Sequence, residues 1–225
     1  MESPSNPNSE FFHVPPAFTV TAHSGSMGLP ENSIEAMQAG VEAGAQIVEF
    51  DLRFLPGGEP VLSHDKPQGD CASLREAFAF LAAHPDVRAN VDVKMTDFLE
   101  CVEPMARQAG VLDRIFFTGI SERDVPAVRA KCPAVPYYLN ADVRIWTKID
   151  KLAEKTCALG AIGINCSYES ASLQLTQTFR QKGLLTSVWT IDSARKARRV
   201  LAMQPDNVTT RRPDLIVSMI ERGET

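Results

Sequence analysis

The chain has 225 residues, enough for one barrel-type domain or two small ones, and its 44% hydrophobic content permits a buried core. Its net charge of -5 gives no broad basic face, which argues against nucleic acid or an anionic membrane as a partner. An anionic substrate would have to meet positive charge at a local site.

The five cysteines are scattered, odd in number and never spaced as CxxC, which argues against a disulfide framework and a zinc site. We expect most of them to be small core residues. Residues 1–16 are polar and proline-rich without a basic region and apolar run, so they predict a flexible N-terminal arm and no signal peptide. No apolar stretch is long enough to span a membrane. We therefore expect a cytoplasmic protein with no stable membrane anchor.

After the arm, short β-rich segments alternate with amphipathic segments of helical spacing. In chain order, the predicted strands cover residues 18–23, 46–52, 89–94, 114–118, 135–140, 161–165, 184–190 and 207–210. The predicted helices cover residues 33–43, 74–83, 98–109, 122–131, 149–159, 172–182, 194–203 and 213–222. Ser121 is placed to cap its helix, and a glycine follows several others, namely Gly44, Gly110, Gly160 and Gly183.

Eight strand–helix units predict an α/β fold. The expected architecture is a compact single-domain (β/α)8 TIM barrel over residues 17–225, with a short insertion after the second strand. A doubly wound open sheet is the alternative, but it more often has five or six strands. In a barrel, catalytic groups are expected at the carboxyl ends of the strands.

Charged residues do follow the ends of the predicted strands. Glu49 and Asp51 lie on the second strand, and Asp92 and Lys94 lie on the third. Residues two apart on a strand point the same way, so these four charges should converge. A divalent cation would relieve the repulsion among three carboxylates, and all-oxygen ligands favour Mg²⁺ or Ca²⁺. The alternative is that each pair is a solvated set of strand-end charges.

Two histidines occupy similar positions. His23 ends the first strand before a polar loop, and His64 ends the segment Val-Leu-Ser-His-Asp. A single histidine is more often structural than catalytic, but both of these could face one pocket. Imidazole can serve as an acid or a base, so we predict that the two form an acid/base pair.

The segment AHSG…PENSIEAMQAGVEAGAQIVEFDLRFLPGGEPVLSHD resembles the glycerophosphodiester phosphodiesterase signature HRG…PENT…A…GA…IE.DV…DG.PV..HD. Weaker similarities extend across the chain: VDVK resembles the family's IEIK, VWTID its VWTVN, and NVTTRRPDLI its GIITDRPDLL. The resemblance implies a metal-dependent hydrolase of small glycerophosphodiesters, which yields glycerol 3-phosphate and an alcohol. It also implies the phospholipase C-like TIM barrel as the fold.

The resemblance implies site residues as well. The acid/base pair is His23 and His64, and the metal lies near Glu49, Asp51 and Asp92, the last replacing a family glutamate. Four further residues would bind the substrate or shape its pocket: Lys94, which grips phosphate, Glu31, Trp189 and Ser24. Glu31 could instead be an additional metal ligand, and Trp189 could be an ordinary core aromatic residue.

Three features depart from the family pattern. Ser24 replaces the arginine of HRG, which removes a guanidinium that can bind two phosphate oxygens. Arg211 stands where relatives carry a carboxylate and could compensate for that loss, or be a solvated charge. The segment between Asp65 and the helix at Leu74 is short, which would leave the barrel mouth open. A lipid phosphodiesterase of the lysophospholipase D type and an inactive barrel that binds a phosphorylated ligand therefore stay as alternatives.

Overall fold

The computed structural model describes residues 18–141 and 148–224. Within them the strands are β1 Thr19–Ala22, β2 Ile47–Phe54, β3 Pro60–Leu62, β4 Arg88–Val93, β5 Ile115–Ile120, β6 Tyr137–Asn140, β7 Gly163–Ser167, β8 Leu185–Trp189 and β9 Asn207–Thr210. The α-helices are α1 Ile34–Glu42, α2 Leu74–Ala83, α3 Val102–Gln108, α4 Val125–Lys131, α5 Ile149–Ala158, α6 Leu173–Gln181, α7 Ala194–Leu201 and α8 Pro213–Glu221. The predicted arm of residues 1–16 lies outside the described residues.

All the strands except β3 form a closed parallel barrel. β1 pairs with β2 on one side and with β9 on the other, and the remaining strands pair in chain order. A helix follows each barrel strand, with β3 preceding the helix in the second unit, so the predicted (β/α)8 TIM barrel is confirmed. β3 pairs antiparallel with β2, with Leu62 opposite Leu52, and forms the short insertion expected after the second strand.

Local sequence signals account for most helix ends. The side chains of Ser33, Ser73, Ser172 and Ser193 each accept a backbone N–H in the first turn of α1, α2, α6 and α7. The four glycines predicted to follow helices all adopt positive φ, a conformation that glycine takes without the steric cost of a side chain.

The predicted cap at Ser121 is wrong. α4 begins at Val125, three residues later than expected, and the hydroxyl of Ser121 hydrogen-bonds the Asp124 carboxylate instead of a helical N–H. Pro126 lies in the first turn of α4, where its missing N–H costs no helical hydrogen bond.

The apolar core lies mainly between the barrel and its helices. Inside the barrel, a smaller cluster of buried side chains forms a floor: Ile47, Phe116, Tyr138 and Ile162. Further along the strands, the inward positions become polar. On β4, Val91 and Val93 belong to the outer core, while the alternate residues Asn90 and Asp92 line the cavity above the floor.

The cysteines fit their expected role only in part. All five are unpaired, but only Cys132 and Cys166 are buried, and Cys157 is exposed. Among the described residues, no helix is long and apolar enough to cross a membrane.

Candidate active site

A cavity of about 620 Å³ opens at the carboxyl ends of the barrel strands. All nine predicted site residues line it: His23, Ser24, Glu31, Glu49, Asp51, His64, Asp92, Lys94 and Trp189. The period-two pattern on β2 and β4 therefore brought the charged residues into one cavity, whereas their chemical roles stay predictions.

A cluster of three carboxylates lies in the cavity. Glu49, Asp51 and Asp92 each offer an oxygen within 4.8 Å of the others. Glu49 and Asp51 are only 5% and 2% exposed, so they are not solvated strand-end charges. Within the described part of the chain, Oδ1 of Asp92 is buried and has no hydrogen-bond partner. A hard divalent cation fits this cluster, since it would satisfy that oxygen and offset the negative charges.

Burial and mutual repulsion change the protonation of this cluster. Burial raises the pKa of Glu49 well above its ordinary value, and the charges of Asp51 and Asp92 raise it further. Burial also raises the pKa of Asp92, although Lys94 opposes the change. Without a cation, the cluster therefore tends to hold protons.

Lys94 is the cation that faces the cluster. Its Nζ lies 2.8 Å from Oδ1 of Asp51 and 3.1 Å from Oδ2 of Asp92. Burial would lower the pKa of Lys94, but attraction to Asp92 and Asp51 outweighs it and raises the pKa. Lys94 is consequently a stable positive charge beside the carboxylates at neutral pH.

Two neighbouring residues orient the carboxylates. Asn32 exchanges two hydrogen bonds with Asp51, donating from Nδ2 to Oδ2 at 2.9 Å and accepting the Asp51 backbone N–H at 2.8 Å. The backbone N–H of Ser24 donates to Glu49 at 2.7 Å. Ser24 is itself buried, with 3% of its surface exposed, and its small side chain packs beneath the mouth of the cavity.

The geometry around His23 selects one tautomer. Its Nδ1 lies 2.8 Å from the carbonyl oxygen of Ser24, which can only accept a hydrogen bond, so Nδ1 carries the proton and Nε2 is left as an acceptor. Burial lowers the pKa of His23, and the positive charge of Arg211 lowers it as well. The imidazole is therefore poised as a neutral base.

His64 and Trp189 lie at the cavity rim. The side chain of His64 is 59% exposed, and its Nδ1 lies 3.1 Å from the Asp65 carboxylate. Trp189 is 39% exposed, so it is not the core aromatic residue that the sequence left as an alternative.

Arg211 follows β9 and lies between two carboxylates. Its guanidinium is 3.3 Å from Glu31 on one side and 3.3 Å from Asp192 on the other. Glu31 is thus engaged in an ion pair and is not part of the three-carboxylate cluster. Sequence reasoning missed Asp192, although it ends the VWTID motif and could have been found there.

The amides and hydroxyls of the lower cavity were also missed. Asn90, Thr118, Asn140 and Asn165 line it, each on a different strand. Asn90 could have been predicted to line the cavity, because it precedes Asp92 by two residues on the same strand and must face the same side.

The fold and the acidic cluster define the class of this protein, a (β/α)8 barrel with a candidate divalent-metal centre at its mouth. Residues 23–79 match the model of the glycerophosphoryl diester phosphodiesterase family.

Similarity to individual relatives extends over nearly the whole chain. A Mycobacterium tuberculosis protein named "probable glycerophosphodiester phosphodiesterase 2" is 25% identical, covering 90% of this chain and 91% of its own. The solved glycerophosphodiester phosphodiesterase of Thermotoga maritima has a TM-score of 0.75 at 22% identity, covering 90% and 98%. An Oleispira antarctica phosphodiesterase, solved in complex with the product sn-glycerol-3-phosphate, has a TM-score of 0.76 at 18% identity, covering 95% and 99%. These two structures share the barrel fold.

Proposed function

We propose that the protein hydrolyses glycerophosphodiesters to glycerol 3-phosphate and an alcohol, using a divalent metal and two histidines. The proposal rests on one observation: three clustered carboxylates, Lys94 and both histidines line the same cavity. The match of residues 23–79 to the family model supports this activity, as does the product bound to the Oleispira antarctica relative.

Glu49, Asp51 and Asp92 would hold the cation, Mg²⁺ or Ca²⁺, which supplies positive charge to a phosphate oxygen when bound. Lys94 offsets further negative charge as the phosphate becomes pentacoordinate. Arg211 lies at the cavity mouth and provides a second positive charge besides that of Lys94. This charge takes the place of the family arginine that Ser24 replaces.

The geometry supports different starting roles for the two histidines. Nε2 of His23 takes the proton of the glycerol 2-hydroxyl, whose oxygen attacks phosphorus. His64 gives a proton to the departing alcohol oxygen. Water then opens the cyclic phosphate with the two roles exchanged, and glycerol 3-phosphate is released.

A lipid phosphodiester is the second candidate substrate, because exposed apolar residues lie on the side of the barrel where the cavity opens. Among the described residues, the large hydrophobic side chains that are exposed are Met27, Leu29, Phe98, Leu173 and Trp189. Each lies at or after the carboxyl end of a barrel strand, on the side where the cavity opens. Such a rim could contact an acyl chain.

The test measures product release from glycerophosphocholine and from lysophosphatidylcholine, with Mg²⁺, with Ca²⁺ and with EDTA. We expect glycerol 3-phosphate from glycerophosphocholine only when a cation is present. Faster choline release from lysophosphatidylcholine would favour the lipid substrate. No turnover of either substrate, or of bis-p-nitrophenyl phosphate, would identify an inactive binding protein.

A cytoplasmic location also stays a proposal, supported by the five unpaired cysteines.

A further inference from the structure

A second unsatisfied polar atom lies in the cavity wall, across the barrel from the acidic cluster. Asn165 is on β7, four strands from β2 in either direction around the barrel. The residue lines the cavity but is only 5% exposed. Within the described residues, its Oδ1 is buried and has no hydrogen-bond partner.

The neighbouring amide determines how Asn165 is oriented. Its Nδ2 donates to Oδ1 of Asn140 at 3.3 Å, and the same Asn140 oxygen accepts the backbone N–H of Gly119 at 3.1 Å. Rotating the Asn165 amide by 180° would place its oxygen against the Asn140 oxygen, with no proton between them. The free atom of Asn165 is therefore its acceptor, and it requires a donor.

The chemistry of the cavity indicates which part of a substrate supplies that donor. The phosphate belongs beside Lys94 and the carboxylate cluster, on the opposite wall, and its ionised oxygens are acceptors that an amide oxygen repels. The glycerol hydroxyls are the donors that every glycerophosphodiester carries, and since the 2-hydroxyl is assigned to His23, the terminal hydroxyl remains. A buried acceptor left without a donor is costly, so it can discriminate between ligands that have the hydroxyl and ligands that lack it.

We propose that Oδ1 of Asn165 accepts a hydrogen bond from the terminal hydroxyl of the glycerol group, which makes Asn165 a specificity-determining residue. The inference rests on the proposed function, because it assumes a glycerol phosphate in this cavity. In this arrangement, Asn165 on β7 distinguishes glycerol from an alcohol that lacks the terminal hydroxyl.

Two substrates with the same leaving group test this inference: glyceryl 4-nitrophenyl phosphate and 2-hydroxypropyl 4-nitrophenyl phosphate. Both keep the 2-hydroxyl that acts as nucleophile, and only the first has the terminal hydroxyl. The wild type should prefer the glyceryl substrate by about 10- to 100-fold in kcat/KM, the effect of one hydrogen bond to a buried acceptor. The Asn165→Leu variant should lose most of this preference through a fall on the glyceryl substrate alone.

Ser187→Ala is the matched control. Ser187 is paired with Asn165 across β7 and β8 and is equally buried at 4% exposure, but its hydroxyl donates to Asn207 inside the barrel. This variant should keep the wild-type preference. If Asn165→Leu fails to fold, Asn165→Ala replaces it, with thermal melting as the check.

An unchanged preference in the folded Asn165 variant would overturn the inference, and so would an equal fall on both substrates. Calorimetric titration with glycerol 3-phosphate and propane-1,2-diol 1-phosphate separates this result from failure of the proposed function. One outcome is that the wild type turns over neither substrate and yet binds glycerol 3-phosphate more tightly than propane-1,2-diol 1-phosphate. If this difference in binding is lost in the Asn165 variant, only the proposed activity fails. Equal binding of the two phosphates by the wild type would overturn the inference by itself.

Discussion

Divalent cations should raise the thermal stability of the protein, because the three clustered carboxylates repel one another without one. The perturbation is the addition of Mg²⁺ or Ca²⁺ to EDTA-treated protein. A ligand that binds only the folded state at 100 times its Kd contributes about 2.7 kcal/mol. For a domain of this size each kcal/mol raises Tm by roughly 2–4 °C, so the expected increase is about 5–11 °C. Differential scanning calorimetry measures it.

The increase in Tm should depend on pH. Burial raises the pKa of Glu49 and Asp92 above their values in the unfolded chain. Such groups contribute stability that is fully present below the unfolded pKa and is lost as pH rises through the folded pKa. The metal-free protein thus loses this contribution above about pH 4.5, and the cation displaces fewer protons as pH rises. The cation should therefore raise Tm more at pH 8 than at pH 5.5.

Asp92→Asn tests whether the effect comes from this cluster. If the loss of one charged ligand weakens binding about 100-fold, the same cation concentration contributes only about 0.4 kcal/mol, and Tm rises by roughly 1–2 °C. Asp70→Asn is the control, since Asp70 is an exposed carboxylate that lines a neighbouring cavity outside the cluster. An equal increase in Tm for Asp92→Asn and the wild type would refute the assignment, as would a reduced increase for Asp70→Asn.

Three further predictions concern catalysis and packing. His23→Ala and His64→Ala should each lower kcat for glycerophosphocholine by about 10²- to 10⁴-fold, and wild-type turnover in both variants would exclude the proposed mechanism. Arg211→Gln removes one of the charges that lower the pKa of His23, so the acidic limb of the kcat/KM profile should move to higher pH; an unmoved limb would count against His23 as the base. Gly119→Ala would place a Cβ 2.2 Å from Oδ1 of Asp92 at a φ of +77°, so urea unfolding should show a loss of about 1–3 kcal/mol, and an unchanged midpoint would contradict this packing.

Hydrophobic periodicity was sufficient to predict the barrel, and most element ends lie within two residues of their predicted positions. The larger errors are at the starts of α3 and α4. At α3, a 3₁₀ turn at Leu99–Cys101 precedes the helix that was expected from residue 98. A tight turn and an α-helix present similar side-chain spacing over one turn, so the pattern alone did not separate them.

The candidate site was predictable to the extent that it follows strand alternation. Glu49, Asp51, Asp92 and Lys94 were brought together by the period of two and by the neighbouring positions of β2 and β4 in the barrel. The ion pair of Arg211 with Glu31 was not predictable, because Glu31 lies 180 positions away in the chain and no local pattern links the two. Long-range pairs of this kind depend on closure of the barrel.

The small apolar floor of the barrel affects which residues of this protein can be replaced without loss of the fold. Among the described residues, four buried side chains form that interior cluster, whereas two much larger clusters hold the strands against the helices. Stability and recognition are thus assigned to different faces of the same strands. Inward-facing residues that make no hydrogen bond to another side chain inside the barrel could be exchanged for others of similar volume with a modest cost to folding, so these positions should tolerate altered substrate preference.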